Sequence, residues 1–120
     1  MFNKRVDLSS EQIEHLKSLV TGLVSTNETV LAQHGRDESA IPPVNPSAVV
    51  MPQSTEEVSK VLAYCNQQKI PVVAFGAGSS LEGHVLPLFG GVSLDLTQMN
   101  KVIEVRGDDL IVRVQPGVHR

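Results

Sequence analysis

The feature that most constrains the fold of this 120-residue chain is a strand–helix–strand pattern between residues 48 and 75. Residues 48–51 form a short apolar run that Pro52 ends, and residues 71–75 form a second run, so both indicate buried strands. Between them, Ser54 and Glu57 have the spacing of a capping box and predict a helix that ends near Gln68. The apolar face of this helix consists of Val58, Val61, Leu62 and Cys65. A unit of this kind predicts that the two strands are parallel.

Two less regular segments precede this unit. Residues 8–25 have apolar side chains at helical spacing, and Ser9 and Gln12 have the spacing of another capping box, so we expect an amphipathic helix. Residues 26–47 show no clear period, and three prolines exclude a helix across their second half. We therefore expect an N-terminal helix with a connecting arm over residues 1–47 and a domain over residues 48–120.

More strands are expected toward the end of the chain. Residues 91–96 predict one strand, while residues 102–106 and 110–114 flank Gly107-Asp108-Asp109 and predict a hairpin with a short turn. Gln115-Pro116-Gly117 ends the last strand, and the chain stops at Arg120 with no closing element. These elements predict an α+β fold, and we expect the chain to be a piece of a longer protein.

A glycine-rich loop directly follows Phe75, with the sequence Gly76-Ala77-Gly78-Ser79-Ser80-Leu81-Glu82-Gly83. Successive small residues bring several backbone N–H groups to one point, and such a nest binds an anion, typically a phosphate. The Rossmann pattern fails because Leu81 stands in place of its last glycine, and the P-loop pattern fails because His84 and Val85 replace its Lys and Ser or Thr. Residue types alone leave two interpretations open, an anion-binding nest and a tight turn that uses glycine for its geometry.

Composition argues against several other functions. A net charge of −3 and only 3% aromatic residues disfavour a nucleic-acid partner. No secretory signal or membrane-spanning run is recognisable, so we expect a cytoplasmic location, with attachment to the periphery of the inner membrane as an alternative for the full-length protein. The single cysteine, Cys65, is expected to be a buried thiol. His34, Asp37, Glu38 and His84 lack the spacing of a zinc site, and we expect no metal.

Several stretches of the chain together resemble one family. They are residues 48–52 with 54–58, residues 70–83, residues 90–96 with 99–100, and residues 114–118. They closely resemble the start of the FAD-binding domain shared by the vanillyl-alcohol oxidase and p-cresol methylhydroxylase superfamily. Within it they are most similar to the D-lactate dehydrogenase (cytochrome) and glycolate oxidase large-subunit group. Residues 34–39 resemble the segment that precedes the domain in this group.

The resemblance implies an α+β FAD-binding domain of two subdomains. This chain would supply an N-terminal amphipathic helix, the first subdomain with its βαβ unit and β-hairpin, and the opening of the second subdomain. FAD would lie between the subdomains with its pyrophosphate on residues 76–80. Implied cofactor-binding residues are Phe75, Gly76, Ala77, Gly78, Ser79, Ser80, Leu81, Gly83, Pro116 and Gly117.

The resemblance also implies an activity for the full-length protein. Enzymes of the group oxidise a D-2-hydroxy acid, such as D-lactate or glycolate, by hydride transfer to the flavin, and pass electrons to a cytochrome or a quinone. This chain lacks the second flavin-binding half and the substrate-binding cap, so we assign it no catalytic residue and expect it to be inactive alone. Two alternatives stay open, a structural module that self-associates through an uncovered apolar surface, and a binder of another nucleotide phosphate.

Overall fold

A computed structural model describes residues 4–119, and three helices and six strands lie within that range. In chain order they are α1 (Ser10–Leu19), β1 (Val24–Ser25), α2 (Glu28–Gln33), β2 (Ala48–Val50), α3 (Thr55–Gln68), β3 (Val72–Phe75), β4 (Val92–Asp95), β5 (Val102–Arg106) and β6 (Ile111–Val114). The expected α+β class is confirmed. None of the helices in the described part of the chain has the length and apolar character needed to cross a bilayer.

Four of the strands form one sheet in the order β1-β2-β4-β3. The strands β2 and β3 both run parallel to β4, and β1 is antiparallel to β2. The predicted parallel arrangement of β2 and β3 is therefore confirmed, but the two strands are not neighbours, because β4 lies between them. Consequently β3 is an edge strand with Ala74 exposed, where the sequence suggested a buried strand.

The two faces of this sheet have different coverings. On one face, α1 and α3 pack against apolar side chains of β2 and β4, and a cluster of Leu16, Val20, Val50, Val61, Cys65, Ile70, Val92 and Leu94 forms the core. Residues paired across parallel strands point to the same face, so Val49, Ser93 and Asp95 lie on the opposite one. There α2 packs near β2, and the glycine-rich loop begins beside the end of β4.

The sequence prediction for the first helix is right at its start and wrong at its end. Ser9 Oγ accepts from the Gln12 backbone N–H at 3.2 Å and Gln12 Oε1 accepts from the Ser9 N–H at 2.9 Å, which confirms the capping box. The helix ends at Leu19, and residues 24–25 pair with β2 as a strand. Gly22 permits this change of direction, because a Cβ there would lie 2.1 Å from the Met51 carbonyl oxygen.

The connecting arm also contains an element that the sequence did not indicate. Helix α2 is only six residues long, too short for a period to be recognised, and the Asn27 side chain caps it by accepting from the Thr29 N–H at 3.0 Å. The helix directly precedes His34. The division of the chain at residue 47 stays a prediction.

The second capping box forms only in part. Ser54 Oγ accepts from the Glu57 N–H at 3.2 Å, as predicted. The Glu57 carboxylate instead accepts from the backbone N–H groups of Gln53 at 3.0 Å and Thr21 at 3.2 Å. The bond from Gln53 is the main cause that lowers the pKa of Glu57. This carboxylate therefore ties the start of α3 to the turn that follows α1.

The strands β5 and β6 form a separate antiparallel hairpin, as the sequence predicted. Its turn closes with a hydrogen bond from the Leu110 N–H to the Gly107 carbonyl at 3.2 Å. Nearly every side chain of both strands is exposed, including the apolar residues Val102, Ile103, Val105, Ile111, Val112 and Val114. The cross-strand pairs Val102–Val114 and Val105–Val112 place four exposed valines on one face of the hairpin, while the pairs Glu104–Arg113 and Arg106–Ile111 fall on the other.

Candidate functional site

The glycine-rich loop begins where β3 ends, at the edge of the sheet that holds the carboxyl ends of β2, β3 and β4. Ligands of open parallel sheets bind at this edge in many proteins. The turn after β6 lies against the turn after β4, because the Gly117 N–H donates to the Met99 carbonyl at 2.8 Å. A cleft of about 120 Å³ opens between these turns and the loop; Gly76, Ala77, Thr97, Pro116, Gly117, Val118 and His119 line it.

The structure brings together part of the predicted cofactor-binding set. Gly76 and Ala77 share the cleft with Pro116 and Gly117, although the two pairs are far apart in sequence. Gly117 fits this close contact because a Cβ would lie 2.4 Å from the Leu96 carbonyl oxygen. The other predicted residues, Phe75, Gly78, Ser79, Ser80, Leu81 and Gly83, lie outside the lining of the cleft.

The loop presents a series of free backbone donors. Within residues 4–119, no backbone N–H from residue 76 to residue 81 has a hydrogen-bond partner, whereas those of Glu82, Gly83 and His84 are all bonded. A Cβ built on Gly76 meets nothing within 4 Å, so open space lies beside the backbone there. Free N–H groups beside open space are what an anionic pyrophosphate needs, and the residues present therefore fit this part of an FAD molecule.

Gly78 shows why the loop needs glycine in its middle. Its φ is +70°, in the left-handed region that side chains with a Cβ rarely adopt. A Cβ there would also lie 2.7 Å from Cζ of Phe75. The aromatic ring of Phe75 therefore forms the surface on which this part of the loop rests.

A buried ion pair also contacts that ring. His34 packs against Phe75 with ring centroids 4.4 Å apart, and its Nε2 lies 2.6 Å from Oδ2 of Asp95. The Nδ1 of His34 is 2.8 Å from the Val30 carbonyl, which can only accept. When the ring is protonated, Nδ1 donates to this carbonyl and Nε2 donates to the carboxylate, so the geometry suits an imidazolium facing Asp95.

Hydrogen bonds hold both groups of this pair in their charged forms. Burial by itself lowers the pKa of His34, but the bonds to Asp95 and to the Val30 carbonyl outweigh it and raise the pKa. Burial by itself raises the pKa of Asp95, but bonds from His34 and Thr97 outweigh it and lower the pKa. The Thr97 N–H and hydroxyl donate to Oδ1 of Asp95 at 2.9 and 2.6 Å. A salt bridge tolerates burial when the carboxylate oxygen that does not face the partner is also hydrogen-bonded, as Oδ1 of Asp95 is here.

The far end of the loop is held by the connecting arm. Oδ2 of Asp37 accepts from the Gly83 N–H at 2.9 Å, and the Glu38 N–H donates to the Ser80 carbonyl at 2.9 Å. The hydroxyl of Ser39 is the main cause that lowers the pKa of Asp37. Asp37 thus orders this end of the loop by accepting a backbone N–H bond.

Other side chains near the loop have local partners. His84 Nδ1 lies 3.1 Å from the Ser80 hydroxyl. No group of three or more His, Cys, Asp or Glu residues suitable for a metal occurs in the described range. Cys65 is buried in the core, as predicted, and burial raises its pKa to about 11. It borders a wide groove of about 850 Å³ between α3 and β3, lined by residues other than those of the loop.

Sequence reasoning did not identify His34, Asp95 and Asp37 as residues that shape the loop. The one sign of them was the dense polar cluster at residues 34–38 in an arm that otherwise has no pattern. Asp95 interrupts an apolar strand, which is also unusual for a residue that is 3% exposed. His34 contacts both Asp95 and Phe75 because β4 lies beside β3, and the sequence does not predict that strand order.

Comparisons with known proteins agree with this geometry. The fold and the loop together define an α+β domain with a glycine-rich loop suited to an anionic ligand. Residues 46–120, more than half of the chain, match the family described as FAD binding domain. The chain belongs to this FAD binding domain family, and FAD is the cofactor that the family binds. The resemblance drawn from the sequence is thereby confirmed.

Curated relatives include two named D-lactate dehydrogenases. A probable mitochondrial D-lactate dehydrogenase of Danio rerio is 43% identical over 97 residues, which are 81% of this chain and 20% of the relative. A mitochondrial D-lactate dehydrogenase (cytochrome) of Arabidopsis thaliana is 38% identical over 110 residues, which are 90% of this chain and 19% of the relative. Glycolate oxidase subunit GlcD of Bacillus subtilis is 38% identical over 73 residues, 61% of this chain and 16% of the relative. The chain thus spans about a fifth of the length of such relatives.

A solved structure supports the same fold. The crystal structure of p-cresol methylhydroxylase with bound substrate superimposes with a TM-score of 0.77 and 28% identity, covering 88% of this chain and 22% of that chain. This confirms the predicted likeness to domains of the p-cresol methylhydroxylase type.

Proposed function

We propose that this chain forms the pyrophosphate-binding side of an FAD site, with the backbone N–H groups of residues 76–80 as the donors. The observation that carries the proposal is the run of unbonded amides beside open space at Gly76, at the carboxyl edge of a parallel sheet. Membership of the FAD binding domain family supplies the ligand. Pro116 and Gly117, across the cleft from Ala77, would close the site from the other side.

The full-length protein is proposed to be an FAD-dependent oxidoreductase of a D-2-hydroxy acid, such as D-lactate or glycolate. The names of the curated relatives support this substrate class, and one of them names a cytochrome. When bound, FAD supplies the acceptor for a hydride, from which electrons pass on to a cytochrome or a quinone. This chain would bind and orient the cofactor. Its ionisable side chains near the loop, His34, Asp37 and Asp95, are all engaged in hydrogen bonds that hold the structure, so we assign them no catalytic role. The residues that act on the substrate would come from other parts of the protein.

Titration with four ligands tests the binding proposal. FAD, ADP, ATP and riboflavin are added separately to the purified chain, and calorimetry measures each dissociation constant. FAD should bind more tightly than riboflavin, which has no pyrophosphate, and more tightly than ATP, because the family is built for the complete dinucleotide. Affinity is expected to be weak, since only one side of the cofactor is contacted. The full-length protein should purify yellow; a colourless preparation that also fails to take up added FAD would contradict the proposal.

Self-association through the hairpin is a second candidate, and one observation favours it. The strands β5 and β6 expose one face of four valines, Val102, Val105, Val112 and Val114, of which Val105 is 66% exposed and Val112 57%. A second copy of the chain could cover this surface. Light scattering after size-exclusion chromatography decides whether the chain is a monomer or a dimer. A dimer that Val105→Lys returns to a monomer would support the candidate, and a monomer of the unaltered chain would refute it.

A further inference from the structure

Residues 34–39, which we call the arm segment, contact the glycine-rich loop at both of its ends. His34 touches Phe75, the residue from which the loop leaves β3. Asp37 and Glu38 bond to Gly83 and Ser80, where the loop finishes. The arm segment lies outside residues 46–120, which match the FAD binding domain family. A part of the chain outside the matched region therefore fixes the shape of the loop inside it.

The bonds at the far end leave the loop's donors free. Asp37 and Glu38 use the Gly83 N–H and the Ser80 carbonyl, and neither bond occupies a backbone N–H of residues 76–81. Asp37 is itself fixed, because its Oδ1 accepts from the Ser39 N–H at 2.9 Å. The far end of the loop is thus held by a preorganised acceptor, while the backbone N–H groups of residues 76–81 have no partner in the described part of the chain and open space lies beside Gly76.

At the near end the contact is made through an aromatic ring. The buried pair of His34 and Asp95 fixes the imidazole, and the imidazole packs on Phe75. Phe75 also lies against Gly78, where the loop adopts its left-handed conformation. A substitution of His34 would therefore disturb the conformation of the loop through Phe75, although no residue of the loop is changed.

The negative charge of Asp37 distinguishes two possible roles for this residue, shaping the loop and binding the phosphate directly. Its bonds lower its pKa, so the carboxylate is negative at neutral pH. A negative group beside a phosphate site repels the phosphate, and removing it should strengthen anion binding if charge were its only influence. Asp37 can favour binding only through the shape that it gives to the loop.

We propose that the arm segment is a clasp that holds the glycine-rich loop in its pyrophosphate-binding shape, with Asp37 as the positioning residue and His34 as the anchor. The inference rests on the proposed function, because FAD is the ligand whose pyrophosphate the loop would hold. The clasp acts on the pyrophosphate part of the ligand, so its loss affects FAD and leaves riboflavin unchanged.

Two neighbouring acidic residues provide a matched test. Asp37→Ala and Glu38→Ala each remove one negative charge next to the loop, but only Asp37→Ala removes a bond to it, since Glu38 contributes its backbone N–H. We expect Asp37→Ala to weaken FAD binding about tenfold, the effect of losing one hydrogen bond to a charged group. Riboflavin affinity should stay within about twofold, and Glu38→Ala should bind FAD at least as tightly as the unaltered protein. Asp37→Asn keeps one acceptor oxygen and should recover part of the FAD affinity.

Amide hydrogen exchange of the ligand-free protein tests the clasp independently of FAD. The Gly83 amide should lose protection in Asp37→Ala and keep it in Glu38→Ala. Equal protection in both variants would overturn the clasp, and so would equal loss of FAD and riboflavin affinity in Asp37→Ala. Failure of the unaltered full-length protein to bind FAD would instead refute the proposed function, and the exchange result would still decide whether the clasp exists.

Discussion

Nε2 of His34 lies 2.6 Å from Oδ2 of Asp95, and both side chains are buried, although the two residues are 61 positions apart. This bond joins the end of α2 to the end of β4, directly beside the residue from which the glycine-rich loop begins. One ion pair thus links the helical arm, the central strand and the candidate cofactor site.

The first prediction concerns the pH dependence of stability. The pKa of His34 is raised above its ordinary 6.5, so its contribution to stability is complete below pH 6.5 and is lost as pH rises through the folded-state pKa. The pKa of Asp95 is lowered below its ordinary 3.8, so its contribution is lost only as pH falls through that lower value. The pair should therefore stabilise the fold most between pH 3.8 and 6.5.

Denaturant unfolding of the unaltered chain and of His34→Gln checks this, over a series of pH values from acid to mildly alkaline. Glutamine can still donate to Asp95 but carries no titratable proton. The free energy of unfolding should fall above pH 6.5 in the unaltered chain and show a flatter profile in the variant. Parallel profiles for the two proteins would mean that His34 does not titrate as the buried pair requires.

The second prediction concerns Ser93, which lies on the central strand β4 and is fully buried. Its hydroxyl has no hydrogen-bond partner in the part of the chain that the structure describes, and its neighbours on the adjacent strands are Val49 and Val73. Ser93→Ala should raise the free energy of unfolding by about 1 kcal/mol, because a buried polar group without a partner costs stability. Chemical denaturation measures the change.

Ser25 provides the contrasting variant for this experiment. It is also buried, but its hydroxyl accepts from the Asn27 N–H at 3.2 Å. Ser25→Ala should therefore lower the stability, in the opposite direction to Ser93→Ala. A destabilised Ser93→Ala protein would show that the hydroxyl has a partner, such as an ordered water.

Local patterns in the sequence predicted those elements that local interactions determine. The capping box of Ser9 and Gln12 and the hairpin around Gly107 depend on residues close in sequence, and both are present. Helix α2 and strand β1 are too short to produce a period, and β1 exists because Val24 pairs with Val50 of a distant strand. The end of α1 was misjudged because the apolar residues Val20, Leu23 and Val24 suit a helix face and a short strand equally well.

The candidate site shows the same division between near and distant interactions. The loop itself was recognisable because glycine and serine at residues 76–80 have a direct physical meaning. The residues that brace it, His34, Asp37 and Asp95, were not, because the contacts by which they do so cross 41 or more positions. Placing them together requires knowledge that β4 inserts between β2 and β3.

The third prediction concerns Gly78→Ala. The φ of +70° and the 2.7 Å approach to Phe75 mean that a methyl group strains the backbone and pushes on the ring. The free energy of unfolding should fall by about 1–3 kcal/mol, the usual cost of a residue with a Cβ in such a conformation. FAD affinity should fall as well, because the loop moves. Thermal unfolding and an FAD titration of the same preparation measure both effects, and unchanged stability would contradict the left-handed conformation.

The last prediction concerns Gly76→Ala, which should change FAD affinity without lowering the stability of the fold. Gly76 has a negative φ and open space around its Cβ position, so alanine should leave the stability unchanged or raise it by about 0.4–1 kcal/mol. The same methyl group would stand where the pyrophosphate must approach the backbone, so FAD affinity should fall. Gly107→Ala is the matched control, because it is equally open and lies in the hairpin turn. If Gly76→Ala binds FAD as tightly as Gly107→Ala does, the pyrophosphate does not lie on this part of the loop.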